Sequence, residues 1–316
     1  MPAHLDIITV NWNSGALLRE CVASIPAACA GGVRLGRVVV VDNASEDGST
    51  DRLSNGLPLT VLRNASNRGF AAACNQGAAG SRADYLLFLN PDTRLFPTTL
   101  STVLAFLDDP VNADVGIAGI RLLDQAGVCQ RNCARVPTPG RLVAHSLGLD
   151  RVLPWLFPPH FMTEWDHGET RPVDQVMGAF LLVRRALFEA LGGFDERFFV
   201  YFDDVDLCLR ARFAGWRVMH YARSEAYHRG GGTTDRIRDV RLFYGLRSRI
   251  QFACKHFGAF AAATVTLSAL VLEPTARLAR ACARGSLSEV GEVLSGTRML
   301  WRDLPAILPA VRERRG

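Results

Sequence analysis

The stretch VVVVDNASEDGST, Val38–Thr50, sets four valines ahead of an aspartate and then gives way to Asn, Ser, Asp and Gly. Valine without period-two alternation suits a strand covered on both faces, as in a parallel sheet flanked by helices. Ligands of such sheets bind beyond the carboxyl ends of the strands, so Asp42 and its polar loop mark a place to look for one.

The flanking segments extend the pattern. LDIITV (Leu5–Val10) reads as a first strand, and Ser14 is expected to cap a helix in which Leu17, Leu18, Cys21, Val22 and Ile25 keep helical spacing. LTVLRN is a third strand, FAAACNQGAAG a short Ala-rich helix, and ADYLLFLNPD a fourth strand ending in Asn90, Pro91 and Asp92. A helix at PTTLSTVLAFLDD and the strand DVGIAG carry the β-α-β alternation to about residue 120. Between Arg121 and about Pro172, Pro, His and Trp gather and no period lasts, which predicts a mobile or substrate-shaped insertion. VDQVMGAFLLVRR restores a strand, with Gly178 and Ala179 permitting close approach, and a helix, a Gly-Gly stop, a second helix and a strand follow.

From Thr233 the chain reads as helices, dividing it into residues 1–232 and 233–316. The uncharged run Phe257–Leu272, closed by Glu273 and Pro274, is shorter than the ~20 apolar residues of a membrane span. It predicts a helix lying in the membrane interface with arginines on lipid phosphates, and leaves a span or a packed helical hairpin as alternatives.

Hydrophobic residues make up 48% and charged residues 21%, with a mean hydropathy of +0.10, which is apolar enough to look for membrane contact. The net charge of +5 is modest. The basic residues, nearly all Arg, thicken after about residue 210, so an anionic membrane surface is the partner expected there and nucleic acid is not. Eight cysteines without paired zinc spacing point to free, mostly buried thiols in a reducing compartment. A strand begins almost at once, with no signal-peptide hydrophobic region, so a cytoplasmic catalytic domain is expected.

Asp42, Asp92, Asp203 and Asp204 would converge on one sheet edge. Carboxylates so gathered repel unless a cation or a donor-rich ligand sits among them. A divalent metal, magnesium or manganese, with a diphosphate is the economical answer.

At these same residues a resemblance becomes specific. IITVNWNSGALLRECVASI, VVVVDNASEDGS, NRGFAAACNQGA, LLFLNPDT, GAFLLVRRALFEALGGFDERFFVYFDDVDLCLRARFAGW and YHRGGG resemble, in order, the successive blocks of family 2 glycosyltransferases. The rhamnosyltransferase branch is the most similar. The resemblance implies the GT-A fold, a Rossmann-like α/β architecture with a mostly parallel central sheet and here a C-terminal helical extension. It implies an inverting, metal-dependent hexosyltransferase of cell-envelope glycan synthesis, peripheral at the inner face of the plasma membrane. The donor would be a nucleotide-sugar, dTDP-rhamnose first, and the acceptor a glycan or a polyprenyl-diphosphate-linked sugar.

Residue by residue, Asp42 is similar to the family's reader of the pyrimidine base, with Asn11, Asn43 and Ser45 beside it. Asn67, Arg68, Gly69 and Asn75 resemble the block bordering the nucleotide. Asn90, Pro91 and Asp92 stand where the family has D-x-D, with Asn replacing the first Asp, so Asn90 is assigned to the nucleotide and Asp92 to the metal. His228 matches a late His that completes the metal shell or touches diphosphate, and Gly230 to Gly232 suit a loop folding over donor. Asp203 and Asp204 resemble the family's acidic pair, with Asp204 the general base and Asp203 its support. Asp206 and Arg210, one helical turn apart, are expected to form a surface or supporting ion pair.

Three other classes compete with this reading. A sugar-phosphate nucleotidyltransferase needs a Gly-rich basic loop after the first strand, whereas TVNWNSGALL has one Gly and no basic residue. A non-catalytic sugar or lipid binding module predicts tolerance of substitution at Asp204. A dinucleotide dehydrogenase is weaker still, because no G-x-G-x-x-G follows the first strand.

Overall fold

Val38–Val41 are buried and form the inner half of β2 (Arg34–Asp42), between β1 (His4–Asn11) and β3 (Leu59–Arg63), both parallel to it. This computed structural model describes residues 4–51, 53, 56–230 and 237–307. The sheet continues through β4 (Tyr85–Leu89), β5 (Thr93–Leu95), β6 (Val115–Leu123), β10 (Phe180–Arg184) and β11 (Arg217–His228), in the order β3-β2-β1-β4-β10-β6-β11-β5. A short β8 (Arg171–Pro172) pairs with β11, while β7 (Cys133–Ala134) and β9 (Gln175–Val176) form a separate two-stranded ribbon.

Alternation within the buried strands sorts side chains onto two cores. Ile7 and Leu87 meet Cys21 and Ile25 of α1 (Ala16–Cys29) and Leu100 of α3 (Thr99–Asp108) on one face. Ile8 and Phe88 meet Ala71 of α2 (Phe70–Ala78), Leu187 of α6 (Arg185–Ala190) and Leu207 of α7 (Asp203–Phe213) on the other. The mostly parallel α/β architecture expected from the valines is therefore present, and three local readings change. β10 runs antiparallel to β4 and β6. Ser14 does not cap α1, whose N-cap is Gly15 without a side-chain bond; the Ser14 carbonyl accepts Leu17 N–H instead. VDQVMGAFLLVRR splits into β9 and β10.

The chain divides into two compact units. One comprises Met1–Arg135, Phe161–Glu196 and Asp203–Thr233, and holds the sheet. The other comprises Val136–His160, Arg197–Phe202 and Thr234–Gly316. It contains α4 (Pro139–Leu147), α5 (Leu149–Val152), α8 (Arg238–His256), α9 (Ala259–Leu267), α10 (Glu273–Ala283) and α11 (Leu287–Ile307). The segment after Arg121, read as an irregular insertion, thus supplies two helices to this second unit as well as β7 and β8.

The helical unit packs Leu142, Leu246, Ile250, Val265 and Leu300 around a buried charge cluster. Glu273 Oε1 accepts from Arg277 Nη2 at 2.7 Å, and its Oε2 accepts from Arg249 and from Ser146 Oγ. Burial opposes ionisation there, but Arg249 and Arg277 prevail and hold the Glu273 carboxyl down at about 2. The apolar run does not stop at Glu273 and Pro274: α9 passes through one π-turn (Ser268–Leu272) into α10. A proline lacks the N–H and crowds the carbonyl four residues back, and widening the preceding turn accommodates both faults. Ala259–Ala283 is long and apolar enough to cross a membrane by length and composition alone.

Candidate active site

Four chain segments meet the carboxyl edge of the parallel strands. At the first, Asn11 and Asp42 end β1 and β2 as register partners. Asn11 Nδ2 lies 2.8 Å from Asp42 Oδ1, 2.9 Å from Ser45 Oγ and 2.8 Å from Ser49 Oγ. The loops behind them are laced together: Asn13, at φ 52°, accepts Glu46 N–H, Ser45 Oγ accepts Asn13 N–H, and Asp47 accepts Gly15 N–H. The loop after the valines is thereby rigid, and Asp42 is held in place.

The second segment enters α2. Asn67 Oδ1 accepts Gly69 N–H, and Gly69 at φ 85° turns the chain so that its carbonyl accepts from Asn43 Nδ2. Asn75 gives Nδ2 to the Phe194 carbonyl and to Glu196, and its Oδ1 takes Phe194 N–H. The amides of Asn43, Asn67 and Asn75 are therefore engaged in holding loops, while Arg68 stands exposed at the edge.

At the third, Asn90 N–H donates to Ala179 and the Asn90 carbonyl accepts Thr93 N–H, which turns Pro91 and Asp92 off the end of β4. β5 pairs antiparallel with the end of β11, bringing His228 opposite Thr93. Asp92 Oδ1 lies 3.4 Å from His228 Nε2, and both side chains are largely buried. Gln130, which nothing in the sequence reading singled out, fixes the imidazole. Its Nε2 donates to the His228 carbonyl, so its Oε1 faces His228 Nδ1 at 2.8 Å and that nitrogen must carry a hydrogen. In the neutral ring the Nε2 lone pair then points at a carboxylate, an arrangement that calls for a cation between them. Among the described residues no group of three or more His, Cys, Asp or Glu could hold a metal. Asp92 and His228 are two donors of the type a divalent ion takes, and two do not complete a shell. Gly230 is described, at φ 72°; Gly231 and Gly232, assigned to the donor loop, lie outside the described residues.

At the fourth, Asp203 and Asp204 open α7. Asp204 Oδ2 accepts Gly178 N–H at 2.9 Å and Oδ1 accepts Val205 N–H at 2.8 Å, with Gln175 donating from its side chain. Burial raises the Asp204 carboxyl above its ordinary value against those three donors. Asp203 is raised well above its own, by burial first and then by the charge of Asp204. The two carboxyls titrate as one coupled pair, and burial favours a state in which they share a proton. Gln175 is buried with its Oε1 unbonded, and it too escaped the sequence reading, which saw only a strand there. Of the two readings of Asp206 and Arg210, the supporting pair is present: Asp206 is buried, and the half-buried Arg210 reaches past it to the Leu191 and Gly193 carbonyls, pinning the Gly-Gly stop.

These segments adjoin. A β-carbon at Gly178 would stand 3.6 Å from Asp204 Oδ2 and 3.9 Å from Phe70, which follows Gly69, and Ala179 bonds the Asn90 amide. The edge presents a carboxyl pair with elevated proton affinity, a carboxylate-imidazole pair and a carboxylate-amide pair. Such a set can receive a proton, neutralise phosphate and bind a polar heterocycle.

Residues 6–125 match the model of the family described as Glycosyl transferase family 2. The N-acetylglucosaminyl-diphospho-decaprenol L-rhamnosyltransferase of Mycobacterium tuberculosis is 28% identical over 249 residues, covering 73% of this chain and 78% of that protein. Rhamnosyltransferase WbbL of Escherichia coli is 30% identical over 147 residues, 46% of this chain and 52% of its own. The solved mannosyltransferase PcManGT from Pyrobaculum calidifontis, in complex with GDP-Man and Mn2+, superposes with a TM-score of 0.54 at 20% identity, covering 99% of this chain and 87% of that one. That likeness extends to the fold, and the fold is the GT-A architecture expected from the sequence.

Proposed function

We propose that this chain, which belongs to the family 2 glycosyltransferases, transfers a hexose with inversion from a nucleotide-sugar to a lipid-linked or glycan hydroxyl. The preferred pair is dTDP-rhamnose as donor and a polyprenyl-diphosphate-linked N-acetylglucosamine as acceptor. The Mycobacterium tuberculosis relative is named for that acceptor and that sugar, and it supports the reading without deciding it. Such an acceptor places the reaction at the cytoplasmic face of the plasma membrane.

The observation that carries the proposal is the Asp203–Asp204 pair held against Gly178 at the edge where Asp92 and His228 meet. Asp204 takes the proton of the acceptor hydroxyl as its oxygen bonds the anomeric carbon. The bond from that carbon to phosphate breaks, and its electron pair leaves with the nucleoside diphosphate. Burial makes the Asp203–Asp204 pair a stronger base than a solvated carboxylate, with Asp204 the member that faces Gly178. A divalent magnesium or manganese ion, when bound by Asp92 and His228, supplies neutralisation of the leaving diphosphate. Asp42, oriented by Asn11 and Ser45, reads the pyrimidine; Asn67, Arg68, Gly69 and Asn90 border the nucleotide, and Asn43 and Asn75 shape that border.

The test is transfer of labelled rhamnose from dTDP-rhamnose to a lipid-linked N-acetylglucosamine, comparing wild type with Asp204→Asn. Loss of transfer with donor binding retained is expected. Transfer by the variant near the wild-type rate overturns the assignment of the base.

A further inference from the structure

On the helical unit, Arg277, Arg280 and Arg284 recur at i, i+3 and i+7 along α10 and just past its end, and so share one face. Burial first, and then the like charges of Arg151, Arg277 and Arg284, hold the Arg280 guanidinium below its ordinary value, with Glu273 opposing them. Three cations thus lie close enough to Arg280 to act on its charge. Among the described residues the acidic neighbours of these four arginines do not neutralise them: Glu273 is shared between Arg277 and the buried Arg249, Asp150 is bonded to His145, and of the four only Arg284 has an unshared partner, the half-buried Glu289.

The chain leaving Arg151 adds an apolar element to this cationic face. Val152, Trp155 and Leu156 are 70%, 78% and 62% exposed. Gly148, at φ 74°, turns α4 into α5, and the Ser146–Glu273 bond fixes α4 to α10, so the segment is anchored beside the arginines rather than trailing from them. Arginines that repel one another next to exposed Trp and Leu complement a surface with anionic headgroups over acyl chains. The guanidinium groups bind phosphate and the indole sits at the headgroup level.

We propose that this face, with Arg151 and Arg280 at its centre and Trp155 and Leu156 as its apolar tip, docks the protein on an anionic phospholipid bilayer. The proposal rests on the reading of a membrane-borne acceptor and names the surface that meets it. The experiment is sedimentation of the full chain with vesicles of phosphatidylcholine alone or mixed with phosphatidylglycerol. Wild type, Arg280→Glu and Trp155→Ala are compared, each checked for an unchanged melting temperature. Binding is expected only to the phosphatidylglycerol vesicles and is weakened by salt. Each variant loses affinity by about tenfold, in line with the one or two surface charges or the one aromatic anchor removed.

Equal binding to both vesicle types, no binding to either, or variants that bind like wild type would overturn it. So would displacement by millimolar inorganic phosphate with no effect of Trp155→Ala, which would mark a free-phosphate site. Turnover of donor with a soluble short-chain acceptor is measured on the same samples. Failure of docking leaves that turnover intact, whereas failure of the enzymatic reading abolishes it without touching vesicle binding.

Discussion

Two buried carboxylate clusters in this chain are treated in opposite ways. In the helical unit Glu273 is surrounded by donors, two arginines and a serine, and its carboxyl falls to about 2. At the sheet edge the buried Asp203 and the partly buried Asp204 lie side by side with backbone amides and one glutamine, and both carboxyls rise. Burial acts against charge in each place; the difference is whether the chain supplies cations. A carboxylate saturated with arginine stabilises structure and has no chemistry left, while one denied a countercharge keeps its affinity for a proton and destabilises the fold slightly for that reason.

Substitutions at the two clusters should therefore diverge. The largest effect is expected from Asp204→Asn, which removes the proton acceptor: transfer falls by about 10²- to 10⁴-fold in a radiolabel assay. Unfolding in urea should leave that variant at least as stable as wild type. Next comes Glu273→Gln, which leaves Arg249 without its buried partner and should cost about 3–5 kcal/mol of helical-unit stability by the same titration. Donor binding measured calorimetrically should persist in it where the fold survives.

Acid titration sharpens the contrast further. Glu273 has a depressed folded pKa, so its contribution of about 3 kcal/mol is present above the unfolded value and is lost as pH falls from about 4.5 through about 2. Asp203 has a raised one, so its favourable contribution is complete below the unfolded value and disappears as pH rises through the folded pKa. Circular dichroism melts of wild type and Glu273→Gln across that range should converge at the acid end. If the gap between them is constant with pH, the assignment of the acid limb to Glu273 is wrong.

Smaller again is Gln130→Leu, which frees the His228 ring. Manganese-dependent donor binding, followed by thermal stabilisation, should weaken by about 10- to 100-fold. A variant indistinguishable from wild type would remove the argument for the fixed tautomer. Smallest is Asp203→Asn, expected to raise stability at neutral pH by roughly 1 kcal/mol, a rise of a few degrees in melting temperature, since the buried acid it replaces is disfavoured there.

How far the sequence carried the reading differs by residue for physical reasons. Val38–Val41 announced a doubly covered strand because β-branched runs have few other uses, and Asp42, Asp92 and Asp204 were legible as polar groups closing apolar runs. The reversal of β10 left no local mark: FLLVR reads the same in either direction, and pairing partners are decided by residues far away in the chain. Helical spacing left Asp206 and Arg210 as a surface or a supporting pair, because it reports that two charges meet, not what covers them. Gln130 and Gln175 act through side-chain hydrogen bonds across 98 and 29 positions, His228 and Asp204 being their respective partners, and no periodicity reports such contacts. The helices of residues 139–152 were hidden by their shortness and by the prolines around them.

The direction of β10 has an evolutionary corollary. Its neighbours β4 and β6 run toward the ligand edge, whereas this strand starts from it, so the amide nitrogen of residue 178 sits in the turn that enters the sheet. Loops farther along that edge can change which sugar or acceptor is admitted without moving this turn or the proposed proton-accepting oxygen bonded to it. Selection can thus retune what is made without rebuilding how the bond is formed.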